Sequence, residues 1–287
     1  MMNYQQSLKT SLKSSLIILK LIIPIYIIAD ILFFYNLLSY ISFLFEPITS
    51  FLDLPPEAAL SIVSGMLLNL YAAIAFAAPL DLSPKEWTIL AVYLGIAHAL
   101  VVETVIMQKI GISKTYSLLL RIGVGLFVGF LTTLLPDSFF SQAHVQNNFE
   151  QENFESIFAL LQNSFIEAFI LAFEVILLIT ALIFILDYIK SLKIIQEYSN
   201  KVNSAFSISI GVILGITYGA GILINEYEKN TLDKKEIFFI GTFLMICHAI
   251  IEDTLLFVIF GANLWVIVSL RVFFAFAFAY ALTRRLR

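Results

Sequence analysis

Apolar runs of about 20 residues recur along this chain, with the charges gathered in the gaps between them. A run of that length spans the ~30 Å hydrocarbon core of a bilayer as a helix. Inside hydrocarbon every backbone N–H and C=O needs an internal partner, which leaves only helices and closed β-barrels. Barrel strands show as alternating ten-residue segments, and runs such as Phe169–Ile185 do not alternate. Composition agrees: 60% of residues are hydrophobic and 13% charged, against about 45–50% and 25% in soluble domains. The fold class is therefore all-α, a polytopic membrane protein in contact with the lipid bilayer. A single cysteine, Cys247, leaves no internal disulfide framework and no multi-cysteine metal site. The first apolar region is too long for a cleaved signal peptide and lacks a small-residue cleavage site. No basic patch interleaved with aromatics marks a nucleic-acid partner.

Residues 1–20 read as a basic amphipathic lead-in carrying Lys9, Lys13 and Lys20, followed by a first repeat over 21–135. Its apolar segments are expected at about Leu21–Phe45, Ala58–Leu80, Lys85–Lys109 and Thr115–Leu135. Ser83-Pro84 is an N-cap and first helical position. Residues 136–155 form a polar extracytoplasmic loop containing His144, and a second repeat follows over 156–287. Its segments are expected at about Ile157–Leu192, Ser204–Asn225, Lys235–Phe260 and Asn263–Leu282.

The two halves coincide at a constant offset of 150 residues. Gly65 meets Gly215, Lys85-Glu86 meets Lys235-Glu236, and His98-Ala99 meets His248-Ala249. Thr104 meets Thr254, Gly111 meets Gly261, and Leu120-Arg121 meets Leu270-Arg271. Matching regions carry opposite charge. The first half begins basic and ends at Asp137; the second begins with Glu150, Glu152 and Glu155 and ends with Arg284, Arg285 and Arg287. Because cytoplasmic loops are rich in Lys and Arg, the halves are expected to be oppositely oriented. Residues 46–56 then lie outside and 109–114 inside. Of the two apolar segments between them, one is a re-entrant or broken hairpin. Ala58–Leu80 and its mate Ser204–Asn225, punctuated by Gly211, Gly215, Gly219 and Gly221, are the favoured pair; Lys85–Lys109 with its mate is the other option. Six full crossings with both termini cytoplasmic follow, in the pattern of inverted-repeat transporters.

His98 and His248 sit mid-segment, each followed by acids: Glu103 in the first copy, Glu252 and Asp253 in the second. A charge at the bilayer centre costs at least about 2.5–3.5 kcal/mol on insertion scales, so these side chains must face protein or water, and mark a functional site. Glu252 lies at i+4 from His248, on one helical face. Two imidazoles and two or three carboxylates form a candidate divalent-metal set of His98, Glu103, His248, Glu252 and Asp253, since imidazole suits first-row metals. The plainer reading has each His neutral and bonded to the neighbouring repeat. Arg121 and Arg271 either neutralise Glu103 and Asp253 in their own halves or bind an anionic solute. Asn69 and Tyr218 in the hairpins, with Thr104 and Thr254 beside the acids, complete the candidate solute contacts. No phosphate-binding Gly-x-x-x-x-Gly-Lys-Ser/Thr loop, Gly-x-Ser-x-Gly or His-Glu-x-x-His is present, so neither ATP-driven nor enzymatic chemistry is expected.

A His-Ala-apolar-apolar-acid-acid-Thr motif in two copies, His98 to Thr104 and His248 to Thr254, with a Gly-rich hairpin before it, resembles the nucleoside-recognition, or Gate, domain membrane proteins. That group resembles the spore maturation proteins and the Gate segments of ferrous iron and concentrative nucleoside transporters. The likeness covers roughly residues 55–135 and 205–285, with Val102 in place of the first acid in the first copy. It implies two inverted repeats, each of about three transmembrane helices plus a hairpin, around a shared solute site.

The expectation is an inner-membrane permease, no enzyme, moving a cation or small polar metabolite by alternating access. A divalent metal ion enters only as substrate, with no certain cofactor. A homo-oligomer or a partner membrane protein is a further expectation. Rival readings are a nucleoside or organic-anion transporter using the hairpins and both arginines, a non-transporting scaffold, and an intramembrane hydrolase.

Overall fold

The structure, a computed structural model, describes residues 4–35, 37, 45–140, 154, 156–191, 208–209, 211–213, 215, 224 and 232–285. Among these residues the regular structure is helical, and six helices are long and apolar enough to cross a membrane. The protein is an all-α polytopic membrane protein.

Helix α1 runs from Tyr4 to Phe34. The lead-in and the first span, divided at residue 20 in the sequence reading, are thus one helix. The reason lies in its buried stripe: Ser7, Ser11, Ile18, Ile22, Tyr26 and Ala29 recur at helical spacing, while Lys9, Lys13 and Lys20 stay exposed. Next come a short helix α2 (Glu46–Phe51), then α3 (Ala59–Leu67) and α4 (Leu70–Ala77). Helices of 9 and 8 residues reach only about 12–14 Å, too short to cross. They fold back on one another, with the Ser61 hydroxyl donating to the Ala73 carbonyl at 2.8 Å. Ala58–Leu80 is therefore a helical hairpin. Its mate Ser204–Asn225 lies largely outside the described residues, and Tyr218 with it.

Helices α5 (Pro84–Ala97) and α6 (Leu100–Lys109) form one span broken at His98-Ala99; α7 (Lys114–Thr133) follows. After the 136–155 loop, mostly outside the described residues, come α8 (Ile157–Ser191), the second broken span of α9 (Lys234–Ile246) and α10 (Ile250–Val258), and α11 (Leu264–Arg285). Both broken spans open with a capping box, Ser83 with Glu86 and Asp233 with Glu236, so two orphan N–H groups are satisfied reciprocally at each start.

The long helices α1 and α8 pack antiparallel. Ser7 donates to Asp187 at 2.7 Å, Ser11 meets Thr180 at 2.8 Å, and Ser164 donates to Asp30 at 2.5 Å, so residue numbers rise on one helix as they fall on the other. Outward from this pair, Phe165, Phe169, Phe173 and Leu177 are exposed, as a lipid-facing surface requires. The broken spans are the centre: 72% of an 18-residue apolar stretch of each is buried, against 22–44% for the other four. They also run antiparallel. Near the start of α5, Trp87 stacks on Phe260 at 4.6 Å, and Thr88 accepts the Asn263 N–H at 2.8 Å. Near the start of α9, the Phe238 ring lies 4.9 Å from that of Tyr116, at the start of α7 just past the end of α6. The two breaks therefore face each other where the spans pass.

One register needs correction. The constant offset pairs Gly65 with Gly215, but the structure pairs Gly65 with Gly211. The carbonyl of Gly65 accepts the Ala99 N–H at 2.9 Å, and that of Gly211 accepts the Ala249 N–H at 3.3 Å. An added Cβ would meet Leu94 at 2.8 Å on Gly65 and Leu244 at 2.5 Å on Gly211. These two glycines are thus offset by four residues fewer than the broken spans.

Candidate functional site

Each break is built the same way. At the first, α5 stops at Ala97, His98 is extended, and Ala99 takes a left-handed conformation at φ 44°. At the second, α9 stops at Ile246 and Ala249 again has φ 44°. Non-helical backbone at membrane depth survives only where its polar groups are satisfied by protein or water. Here the carbonyls of Gly65, in the hairpin, and of Gly211 take the alanine N–H groups. Arginines take the freed carbonyls. Arg121 donates through Nε to Ile96 O at 2.7 Å and through Nη2 to His98 O at 2.6 Å. Arg271 repeats this with Ile246 O at 3.4 Å and His248 O at 2.8 Å. A cation at a helix C-terminus also answers the negative end of the helix dipole.

The carboxylates sit at the positive ends of the continuing helices, Glu103 in the first turn of α6, Glu252 and Asp253 in the first turn of α10. Arg121 Nη2 lies 2.9 Å from Glu103 Oε2, an ion-pair approach rather than an aligned hydrogen bond. Arg271 Nη2 lies 3.2 Å from Asp253 Oδ2. Both arginines are fully buried and face their own halves' acids and carbonyls. One nitrogen of each, Nη1, has no partner among the described residues.

At the meeting of the breaks the imidazoles of His98 and His248 approach to 5.0 Å between centroids. Each Nδ1 faces the carbonyl four residues back, Leu94 at 2.8 Å and Leu244 at 2.7 Å. Each Nε2 lies 3.2 Å from the same atom, Glu103 Oε1. The structure thus gathers three of the five candidate ligands into one group, His98, Glu103 and His248, whose donor atoms all lie within 4.8 Å of one another. Two candidates are not in it. Asp253 is held by Arg271, and Glu252 accepts the Tyr71 hydroxyl of the hairpin at 3.0 Å. The expectation that Glu252 shares a helical face with His248 fails, because the left-handed Ala249 breaks the helix between them.

Three further candidates are not part of this group. Asn69 uses its side chain to cap α4, accepting the Ala72 N–H at 3.0 Å. The Thr104 hydroxyl faces Ser117 at 3.4 Å. Thr254 is buried and its hydroxyl has no partner among the described residues. Sequence reasoning missed Tyr71 and the left-handed alanines. The signal for the alanines was present: Ala follows His in both copies.

Left-handed φ costs a residue with a Cβ roughly 1–2 kcal/mol. Ala249→Gly is expected to be near neutral, because glycine relieves that strain and loses more chain entropy on folding. Ala249→Val is expected to cost about 1–2 kcal/mol more. Unfolding of the two variants in mixed micelles orders them; a valine variant as stable as the glycine one would sink this account.

The chain is 28% identical over 268 residues to the uncharacterized membrane protein YvoD of Bacillus subtilis (strain 168), covering 88% of this chain and 85% of YvoD. No protein-family model and no solved structure matches it.

Proposed function

We propose that this membrane protein is a solute transporter of inverted-repeat, Gate-like plan, working by alternating access around the paired breaks. The observation that carries the reading is the convergence of His98 and His248 on Glu103 where two antiparallel broken spans pass. Discontinuous helices meeting at the midplane are how secondary transporters place a binding site. The antiparallel course of the spans and the opposite charge of matching loops support the inverted repeat, with both termini cytoplasmic in an inner membrane. The solute class is a cation or small polar metabolite. An anion held by the arginines fits less well, since both guanidinium groups are buried against carbonyls and carboxylates.

The test is uptake into reconstituted vesicles by wild-type protein and by the folded His98→Ala/His248→Ala double variant, across a panel of metals, nucleosides and organic acids. Wild-type protein is expected to take up at least one solute, and the double variant to fall to the rate of protein-free vesicles. Equal uptake by the two proteins, or none by wild type, would leave a scaffold as the better account.

A further inference from the structure

We propose that His98, Glu103 and His248 are the protein ligands of one divalent first-row transition-metal ion. The inference rests on the transport reading only in making that ion the solute carried; the site stands on its own geometry.

A backbone carbonyl only accepts hydrogen bonds, so the short contacts of Leu94 O and Leu244 O place the ring proton of each neutral imidazole on Nδ1. Both Nε2 atoms then present lone pairs to Glu103 Oε1. With both imidazoles neutral, three acceptors converge in a buried place with no donor between them, an arrangement that a cation relieves. Anchoring of the remote imidazole nitrogen by a carbonyl is the usual support of a metal-bound histidine. The spacing agrees for the two imidazole–carboxylate pairs, while the two Nε2 atoms lie within 4.8 Å of each other and close on the ion as it binds. A tetrahedral ion with bonds of about 2.0–2.1 Å has ligand atoms about 3.3–3.4 Å apart, and Oε1 lies 3.2 Å from each nitrogen. Arg121 engages the other carboxylate oxygen, leaving Oε1 to bind through one atom.

The donor set selects the ion class. Two imidazoles and a carboxylate suit zinc, iron(II) or nickel, whereas calcium and magnesium require six or more oxygens. Three protein ligands also leave a coordination position open, which release of a carried ion needs. Glu103, Glu252 and Asp253 against Arg121 and Arg271 leave one formal negative charge around the cluster. The ion is therefore only partly neutralised, which favours reversible binding over permanent capture.

The test is titration of tag-free purified protein in detergent with Co²⁺, read by its visible ligand-field absorption. One Co²⁺ per chain is expected, displaced by Zn²⁺ and unaffected by excess Mg²⁺ or Ca²⁺. His98→Ala and His248→Ala are each expected to weaken binding at least roughly 100-fold, beyond the 10–100-fold typical of an outer partner. His144→Ala, the third histidine of the chain, is expected to leave binding unchanged. X-ray absorption at the zinc edge of wild-type protein needs no variant. Two imidazoles in the first shell support the site, and a shell without imidazole overturns it, as does the absence of a saturable cobalt band. Metal binding without flux in vesicles keeps the site and sinks the transport reading. Histidine-dependent flux of another solute without a cobalt band sinks the metal and keeps transport.

Discussion

Arg121→Met is expected to destabilise the folded protein by about 3–5 kcal/mol, the usual loss when one partner of a buried ion pair is removed. The variant leaves the Glu103 carboxylate without its guanidinium partner, 2.9 Å away in the wild type. It also orphans the carbonyls of Ile96 and His98, and each buried unpaired group costs about 1–3 kcal/mol in its own right. Unfolding in a series of SDS mixed micelles measures the loss. Adding Glu103→Leu is expected to restore the ion-pair share but not the carbonyl share, so the double variant falls between Arg121→Met and wild type. A single variant within about 0.5 kcal/mol of wild type would mean that Arg121 does not hold the break.

Gly95→Leu is expected to cost about 3 kcal/mol or more, through a residue in the other half. Gly95 lies on α5, and a Cβ there would stand 3.1 Å from the Cζ, Nε and Nη1 of Arg271. A longer side chain drives the guanidinium off Asp253 and off the second break. Gly95→Ala, which asks for only a few tenths of an ångström, is expected to cost about 1 kcal/mol. A double-mutant cycle with Arg271→Ala separates this cause from plain overpacking. If the penalty acts through Arg271, Gly95→Leu costs much less in the Arg271→Ala background. An undiminished penalty assigns it to overpacking of α5 alone.

The legible part of this molecule was its chemistry-bearing residues. Segment lengths gave the spans, because hydrocarbon admits few backbone solutions. His98, His248, Arg121 and Arg271 stood out because such side chains are costly among apolar neighbours. Three things were hidden. The break at His98-Ala99 carries no glycine or proline, so its only local mark is the His-Ala pair shared with the second copy; a hairpin carbonyl and an arginine 23 residues away stabilise it. Helical spacing therefore misplaced Glu252, whose partner Tyr71 lies 181 residues off. The Gly65–Gly211 register was masked because Gly215 also fits the constant offset, and composition cannot rank two glycines one helical turn apart.

The antiparallel pairing of α1 with α8 sets a timetable for synthesis. Asp30 and Ser164 are 134 residues apart in the chain. At about 5–20 residues per second of translation, α1 waits roughly 7–27 s for its partner to be made. During that interval its polar stripe of Ser7, Ser11 and Asp30 has no α8 to bond with. The nascent protein must shelter these groups with water, headgroups or the insertion machinery. Docking of α8 is thus the step that seals the earliest helix into the bilayer.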